Sequence, residues 1–239
     1  MKSILLILAY FFSFGLFAQQ NAVAIYKFIR EKDTVTSNDP DRVKAKQLIQ
    51  TAADYAQNYQ YILKFNPNES YYYIDEGLPI DESELNATAY DHSKMMTGSG
   101  IFYQNKPNRI SINYKHTLGK NYAVTDSLYN TNWQITNDSK YIGKYKVYKA
   151  VARCASCQKK VIAWFAPDIP LPFGPAGYGG LPGLILEVKK YKNILRLKKL
   201  SFKKKQVEIK LPQNSIPITK QKLEDLQWQR RVEMMQKRR

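Results

Sequence analysis

The sequence predicts a mainly β protein: a β-rich α+β domain with an antiparallel, strongly curved or barrel-like sheet, one helix in the N-terminal half and one C-terminal helix. Three observations carry that expectation. Eighteen tyrosines and frequent Val and Ile favour strands. The apolar runs are short, alternate with polar residues and are closed by turn residues. No strand–helix–strand rhythm recurs, which removes the parallel α/β folds.

The N-terminus stands apart from that domain. Lys2 supplies a positive start, SILLILAYFFSFGLF is apolar, and small Ala18 precedes polar Gln19. This is the pattern of a secretory signal peptide cleaved between Ala18 and Gln19. The run is short for a bilayer-spanning helix, and no later run approaches that length. No cysteine follows the cleavage point, which argues against a lipid anchor. The chain therefore reads as exported, to the periplasm or the outer membrane, and as not membrane-spanning after cleavage. Its expected parts are the signal over 1–18, a single β-rich domain over 19–218, and a basic helix or tail over 219–239.

The elements follow in order. NAVAIYKFIRE alternates as a first strand. In TSNDPDRVKAKQLIQTAADYAQNY, Asp39 can cap and Pro40 suits the first turn. Ala45, Leu48, Ile49, Ala52 and Ala56 share one face of that helix. QYILKFN and SYYYID bracket the turn PNE as a hairpin, and the acidic loop DEGLPIDESE follows. Strands resume at GIFYQN, RISINYK, NYAVTD and WQITND. YKVYKAVARCASCQKKVIAWFAP reads as a long hairpin turning near its cysteines. LILEVKKY, NILRLKKLSFKKK and QVEIKLP are further strands. TKQKLEDLQWQRRVEMMQKRR is helical, but Leu223, Leu226, Trp228, Val232, Met234 and Met235 make no clean stripe, so it reads as partly docked on the sheet.

Charge narrows the partners. The net +17 is concentrated at the end: Lys189 to Arg239 holds 17 Lys and Arg against four Asp and Glu, a net of +13. Lys198, Lys199, Lys203, Lys204 and Lys205 form its densest stretch, a candidate basic binding patch. In an exported chain such a patch faces an envelope partner protein or an acidic lipid or glycan rather than nucleic acid. An apolar ligand on the sheet is the other expected partner.

Between Trp164 and Val188 stand five prolines and five glycines. The stretch lacks the Lys-Ser/Thr of a phosphate loop, and Pro182 stands where a dinucleotide fingerprint needs glycine. Ile169, Leu171, Phe173, Leu181 and Leu184 are too apolar for a flexible linker. Prolines fix φ and glycines permit positive φ or close backbone approach. The stretch reads as a rigid, partly buried corner, with positive φ expected at Gly180 or Gly183 before the strand LILEV.

GGLPGLILEV is also the signature of a family. With NTNWQITNDSKYIGKYKVYKA and VIAWFAPDIPLPFGPAGYGG, the chain from Tyr122 to Val188 resembles the GLPGLI family of exported Bacteroidetes proteins. The motif positions here are Trp133, Trp164, Pro170, Gly174, Pro175, Gly180, Leu181, Pro182, Gly183 and Leu184. The resemblance implies an envelope protein of unknown biochemical function, with no catalytic residues to carry over. The family often has a cysteine near the Lys-Ala pair, where this chain has Val147.

Cys154 and Cys157 are the most chemically pointed residues. An even pair in an oxidising compartment reads as a disulfide. A redox role asks for a helix N-terminus under the first cysteine, and these lie between strand-like runs. Zinc needs two more ligands, and His92 and His116 are not at finger spacing. TGSGI is not a nucleophile elbow, because Met96 replaces the first glycine. Asp75, Glu76, Asp81, Glu82 and Glu84 read as a solvated acidic loop. No catalytic residue, metal or cofactor is called for. The expectation is a non-enzymatic binding or accessory protein of the cell envelope. The alternatives are a thiol-disulfide enzyme using Cys154 and Cys157, or an unrecognised hydrolase.

Overall fold

The alternating runs assemble into one curved, open sheet of twelve strands. The computed structural model describes residues 21–32, 38–77, 86–98, 100–129, 131–153 and 159–236. The strands are β1 (Asn21–Arg30), β2 (Gln60–Phe65), β3 (Glu69–Asp75), β4 (Ile101–Asn105), β5 (Ile110–Thr117) and β6 (Lys120–Ser127). They continue with β7 (Gln134–Ile142), β8 (Tyr145–Arg153), β9 (Lys160–Ala166), β10 (Leu184–Lys190), β11 (Asn193–Lys203) and β12 (Ile216–Thr219). Their order is β12-β6-β5-β4-β3-β2-β1-β11-β10-β9-β8-β7. Two antiparallel meanders, β1–β6 and β7–β11, are thus joined by pairing the first strand of one with the last of the other.

That joint follows from the pattern of β1. Ala22, Ala24, Tyr26 and Phe28 are buried and alternate with less buried neighbours. Opposite them on β11 stand Phe202, Leu200, Leu197 and Leu195, with Lys198 taken up by a bulge. Tyr61 faces Tyr26, Leu63 faces Ala24 and Tyr72 faces Leu63, so one apolar inner face continues across the strands. Tyrosine suits it because the ring is apolar and the hydroxyl can find a carbonyl. Tyr26 Oη donates to Ile185 O at 2.7 Å and Tyr61 Oη to Ala56 O at 2.7 Å. Burial raises the pKa of Tyr26, Tyr61 and Tyr72.

Helix α1 (Pro40–Asn58) begins as expected: Asp39 accepts from Asp41 N at 3.0 Å and Pro40 opens the first turn. Its buried residues are Ala52, Ala53 and Ala56, while Ala45 is exposed together with the rest of the first two turns. The C-terminal helix α3 (Lys220–Gln236) buries Leu223 against Tyr122 and Val124 and leaves Trp228, Met234 and Met235 in solvent.

Two local expectations are corrected. An additional helix, α2 (Ala87–Thr97), follows the acidic loop, capped by Asn86 Oδ1 accepting from Ala89 N at 2.9 Å and ended by left-handed Gly98. QVEIKLP forms no strand: β1 and β10 occupy both sides of β11, so no edge is free beside it. The chain instead reaches the far edge, where β12 adds parallel to β6, in a sheet otherwise antiparallel. Of the two forms expected, strongly curved or barrel-like, the sheet takes the curved one and stays open, with β12 and β7 as its edges. No described helix is long and apolar enough to cross a membrane.

Candidate functional site

The β9–β10 connection, residues 167–183, is a strap folded onto the inner face. It is fastened to itself: Gly180 N donates to Pro172 O, Leu184 N to Ile169 O and Ile185 N to Phe173 O, each at 2.9 Å. Ile169, Leu171, Phe173 and Leu181 are buried, and Phe173 packs on Phe65 of β2. Two side chains from outside hold its carbonyls. Gln104 Nε2 donates to Gly177 O and Trp133 Nε1 to Gly179 O, both at 2.9 Å.

Two glycines are required for different reasons. Gly180 holds φ 85°, in the left-handed region that favours glycine. Gly183 does not; there the backbone passes so close that a Cβ would lie 2.2 Å from Ala166 O. Pro175 and Gly174 are buried, Gly174 against Ile185, while Pro170 and Pro182 are exposed. Leu184 is buried in the main core cluster, and Leu181 in a second cluster with Phe165 and Ile185. Trp164 is half-buried and packs against the main core cluster, with Lys140 Nζ 4.2 Å from its ring centroid.

The tip of the strap carries strain. Ala176 holds φ 53°, a left-handed conformation that non-glycine residues seldom adopt, and such outliers gather at functional sites. Ala176 and Tyr178 divide two cavities. The polar one, about 330 Å³, lies between β5, β6 and α3. Its charges oppose one another: Lys115 and Lys220 against Asp126 and Glu224, with Lys220 Nζ 3.4 Å from Asp126. Burial lowers the Lys115 pKa, with Glu224 opposing and Lys220 adding to the shift.

The other cavity, about 440 Å³, is the candidate site. Its floor is a row of facing inner residues, Phe28 of β1, Leu195 of β11 and Val188 of β10. Met96 and Tyr178 complete the apolar wall. Asn193 Nδ2 donates to Met96 O at 3.2 Å and so fixes the C-terminal turn of α2 to the sheet. The lips are unusual: Met95 is 74% exposed and Tyr191 58% exposed, although both are large and apolar. Tyr191 holds φ 58° in the β10–β11 turn, strained for a bulky aromatic. The Lys159 ammonium lies 4.7 Å from its ring centroid. An apolar floor of this volume with few polar groups is the form of a small-molecule seat.

Sequence reasoning missed this place because α2 supplies both methionines. It also missed Glu187, a buried carboxylate that accepts from Lys140 Nζ at 2.8 Å and from Arg196 Nε. The signal was a lone acid in the apolar run LILEV. Lys199 and Lys203 pair with Ile25 and Asn21, the outward residues of β1, so these two face away from the cavity. Lys204 and Lys205 follow the strand, exposed. Ala18, Gln19, Cys154 and Cys157 lie outside the described residues. Among the described residues, no group of three or more His, Cys, Asp and Glu could hold a metal ion.

Over residues 153–187 the chain matches a family model described as a protein of unknown function (Porph_ging). That segment runs from the end of β8 through β9 and the strap into β10. Two solved structures of PNGF-II, in C2 and P21 space groups, share the fold, with TM-scores of 0.55 and 0.56 and 14% identity. Each alignment covers 87% of this chain and 33% of the PNGF-II chain, so this chain spans about a third of their length. At that identity the likeness concerns the fold alone. No curated protein matches the chain.

Proposed function

We propose that this chain is an exported GLPGLI-type envelope protein that binds an apolar ligand in the cavity beside its strap, without catalysing a reaction. The observation that carries this reading is the pair of exposed apolar lips, Met95 and Tyr191, over an apolar floor. Large apolar side chains left in water around a concavity mark a binding site. Methionines add adaptability, since an unbranched thioether fills irregular gaps. The strap supplies rigidity: its hydrogen bonds and buried leucines hold Tyr178 and Ala176 in place as one wall. The signature motif then serves as framework and the ligand seat lies next to it. Export is supported by Lys2, the apolar run and Ala18.

Uptake of neutral N-phenylnaphthylamine tests the binding reading, with fluorescence as readout. Saturable enhancement is expected in the native chain. Met96→Trp fills the cavity from the wall and Val188→Phe from the floor, so each should abolish uptake while circular dichroism and melting show a fold. If uptake is absent, or persists unchanged in a folded filling variant, the cavity is not the seat. N-terminal sequencing of the mature protein should begin at or near Gln19; an intact Met1 in a cytoplasmic fraction would refute export.

A further inference from the structure

We propose that the ligand of this cavity is a single-chain anionic amphiphile whose carboxylate is met by Lys159 and Lys190; this rests on the binding reading above. The cavity's charge is one-sided. Its described lining includes Lys159 and Lys190 and no carboxylate, whereas the polar cavity across the strap sets two lysines against two acids. Both lysines are exposed at the rim. Lys190 ends β10 and pairs with Asn193 and Val161, and Lys159 immediately precedes β9, so two neighbouring strands bring the ammonium groups to one mouth. Phe28, Leu195 and Val188 lie below them. A chain with an apolar tail and an anionic head satisfies both layers at once. A neutral head leaves the lysines to water, and a cationic head meets like charge.

Tyr191 fits the same ligand. Its ring, carried on a strained turn, is packed under the Lys159 ammonium at 4.7 Å, and a cation over an aromatic face is held in place. The lysine is therefore stationed at the mouth. The volume of about 440 Å³ lies at the small end of ligand sites, which favours one acyl chain over a two-chain lipid.

Dodecanoate, dodecanol and dodecyltrimethylammonium, displacing N-phenylnaphthylamine from the full mature chain, make the test. Dodecanoate should bind about tenfold tighter than dodecanol, the scale expected of two partly exposed ion pairs. The cation should bind weakest. Lys159→Glu with Lys190→Glu should remove the carboxylate preference while dodecanol affinity stays within about twofold. Equal affinity for acid and alcohol overturns the anionic head and leaves the apolar seat standing. Failure of all three amphiphiles to displace a bound probe overturns the amphiphile as ligand, whereas absence of probe uptake overturns the seat itself. A preference that survives the double reversal takes the head away from these lysines. Phosphatidylglycerol vesicles separate the remaining source: co-sedimentation lost in the double variant, without displacement by dodecanoate, would replace the proposal with docking on a lipid surface.

Discussion

Gly183→Ala isolates what the close approach in the strap is worth. The new Cβ would stand 2.2 Å from Ala166 O and 2.6 Å from Ala166 C, both backbone atoms of the strand that the strap leaves. Ordinary contact begins at 3.4 Å, so the two segments must part by about 1.2 Å. The neighbouring amide, Leu184 N, is bonded to Ile169 O at 2.9 Å, and such a displacement breaks that bond. Overpacking costs about 1–3 kcal/mol, and a buried pair left unmade about 1–3 kcal/mol more. The sum, about 2–6 kcal/mol, lowers Tm by roughly 5–20 °C for a domain of this size. Gly143→Ala is the control: φ is 58° there and nothing lies within 4 Å of a Cβ, so left-handed strain alone acts, about 1–2 kcal/mol. Thermal melting of both variants, with hydrogen exchange at the Leu184 amide, decides the matter. Gly183→Ala should lose clearly more and should deprotect that amide. An equal or smaller loss, or an amide as protected as before, would refute the close-approach argument.

The remaining predictions address core, titration and charge. Leu184→Ala should cost about 2–5 kcal/mol in denaturant unfolding, because the side chain is fully buried in the main cluster. The tyrosine contribution to stability should be level up to about pH 10 and fall above it. Tyr26, Tyr61, Tyr72 and Tyr129 have pKa values raised by burial, so the fold retains phenol protons that the unfolded chain has released. Each phenol that titrates only on unfolding contributes about 1.4 kcal/mol per pH unit to that fall. Phenolate absorbance should show a late step coincident with loss of structure; smooth titration near pH 10 of every tyrosine would contradict the buried hydroxyls. Lys203→Glu, Lys204→Glu and Lys205→Glu together should leave amphiphile affinity unchanged and weaken any salt-sensitive envelope association. If amphiphile binding falls with them, patch and cavity act as one surface. Cys154→Ser should leave uptake and fold intact, and complete loss of cellular function from that change alone would favour a thiol-disulfide enzyme.

Much of the fold is legible in local chemistry. The alternation in NAVAIYKFIRE predicts β1, and Asp39 with Pro40 predicts the start of α1, because a strand's buried face and a helix cap are written within a few residues. The rigid corner between Trp164 and Val188 is legible for the same reason: proline and glycine restrict or free φ whatever surrounds them.

Other features depend on partners distant in the chain. Helix α2 buries Ala89, Ser93 and Thr97, small or polar residues four apart, so no apolar stripe announces it. Thr97 Oγ1 donates to Ser93 O at 3.1 Å and the Ser93 hydroxyl lies 3.0 Å from that of Tyr59, which is how that face tolerates burial. Gly183 reads as a site for positive φ, yet its reason is Ala166 O, brought against it by the return of the strap. Glu187 is buried because Lys140 from β7 and Arg196 from β11 converge on it. The cavity gathers Phe28, Met96, Tyr178, Val188 and Leu195 from five separate segments. By itself the sequence determines which residues want to be extended, capped, turned or buried, because those preferences act over a few bonds. Tertiary structure alone decides which buried faces meet, since the pairing of β1 with β11 rewards a shared apolar surface only after the whole chain between them has folded.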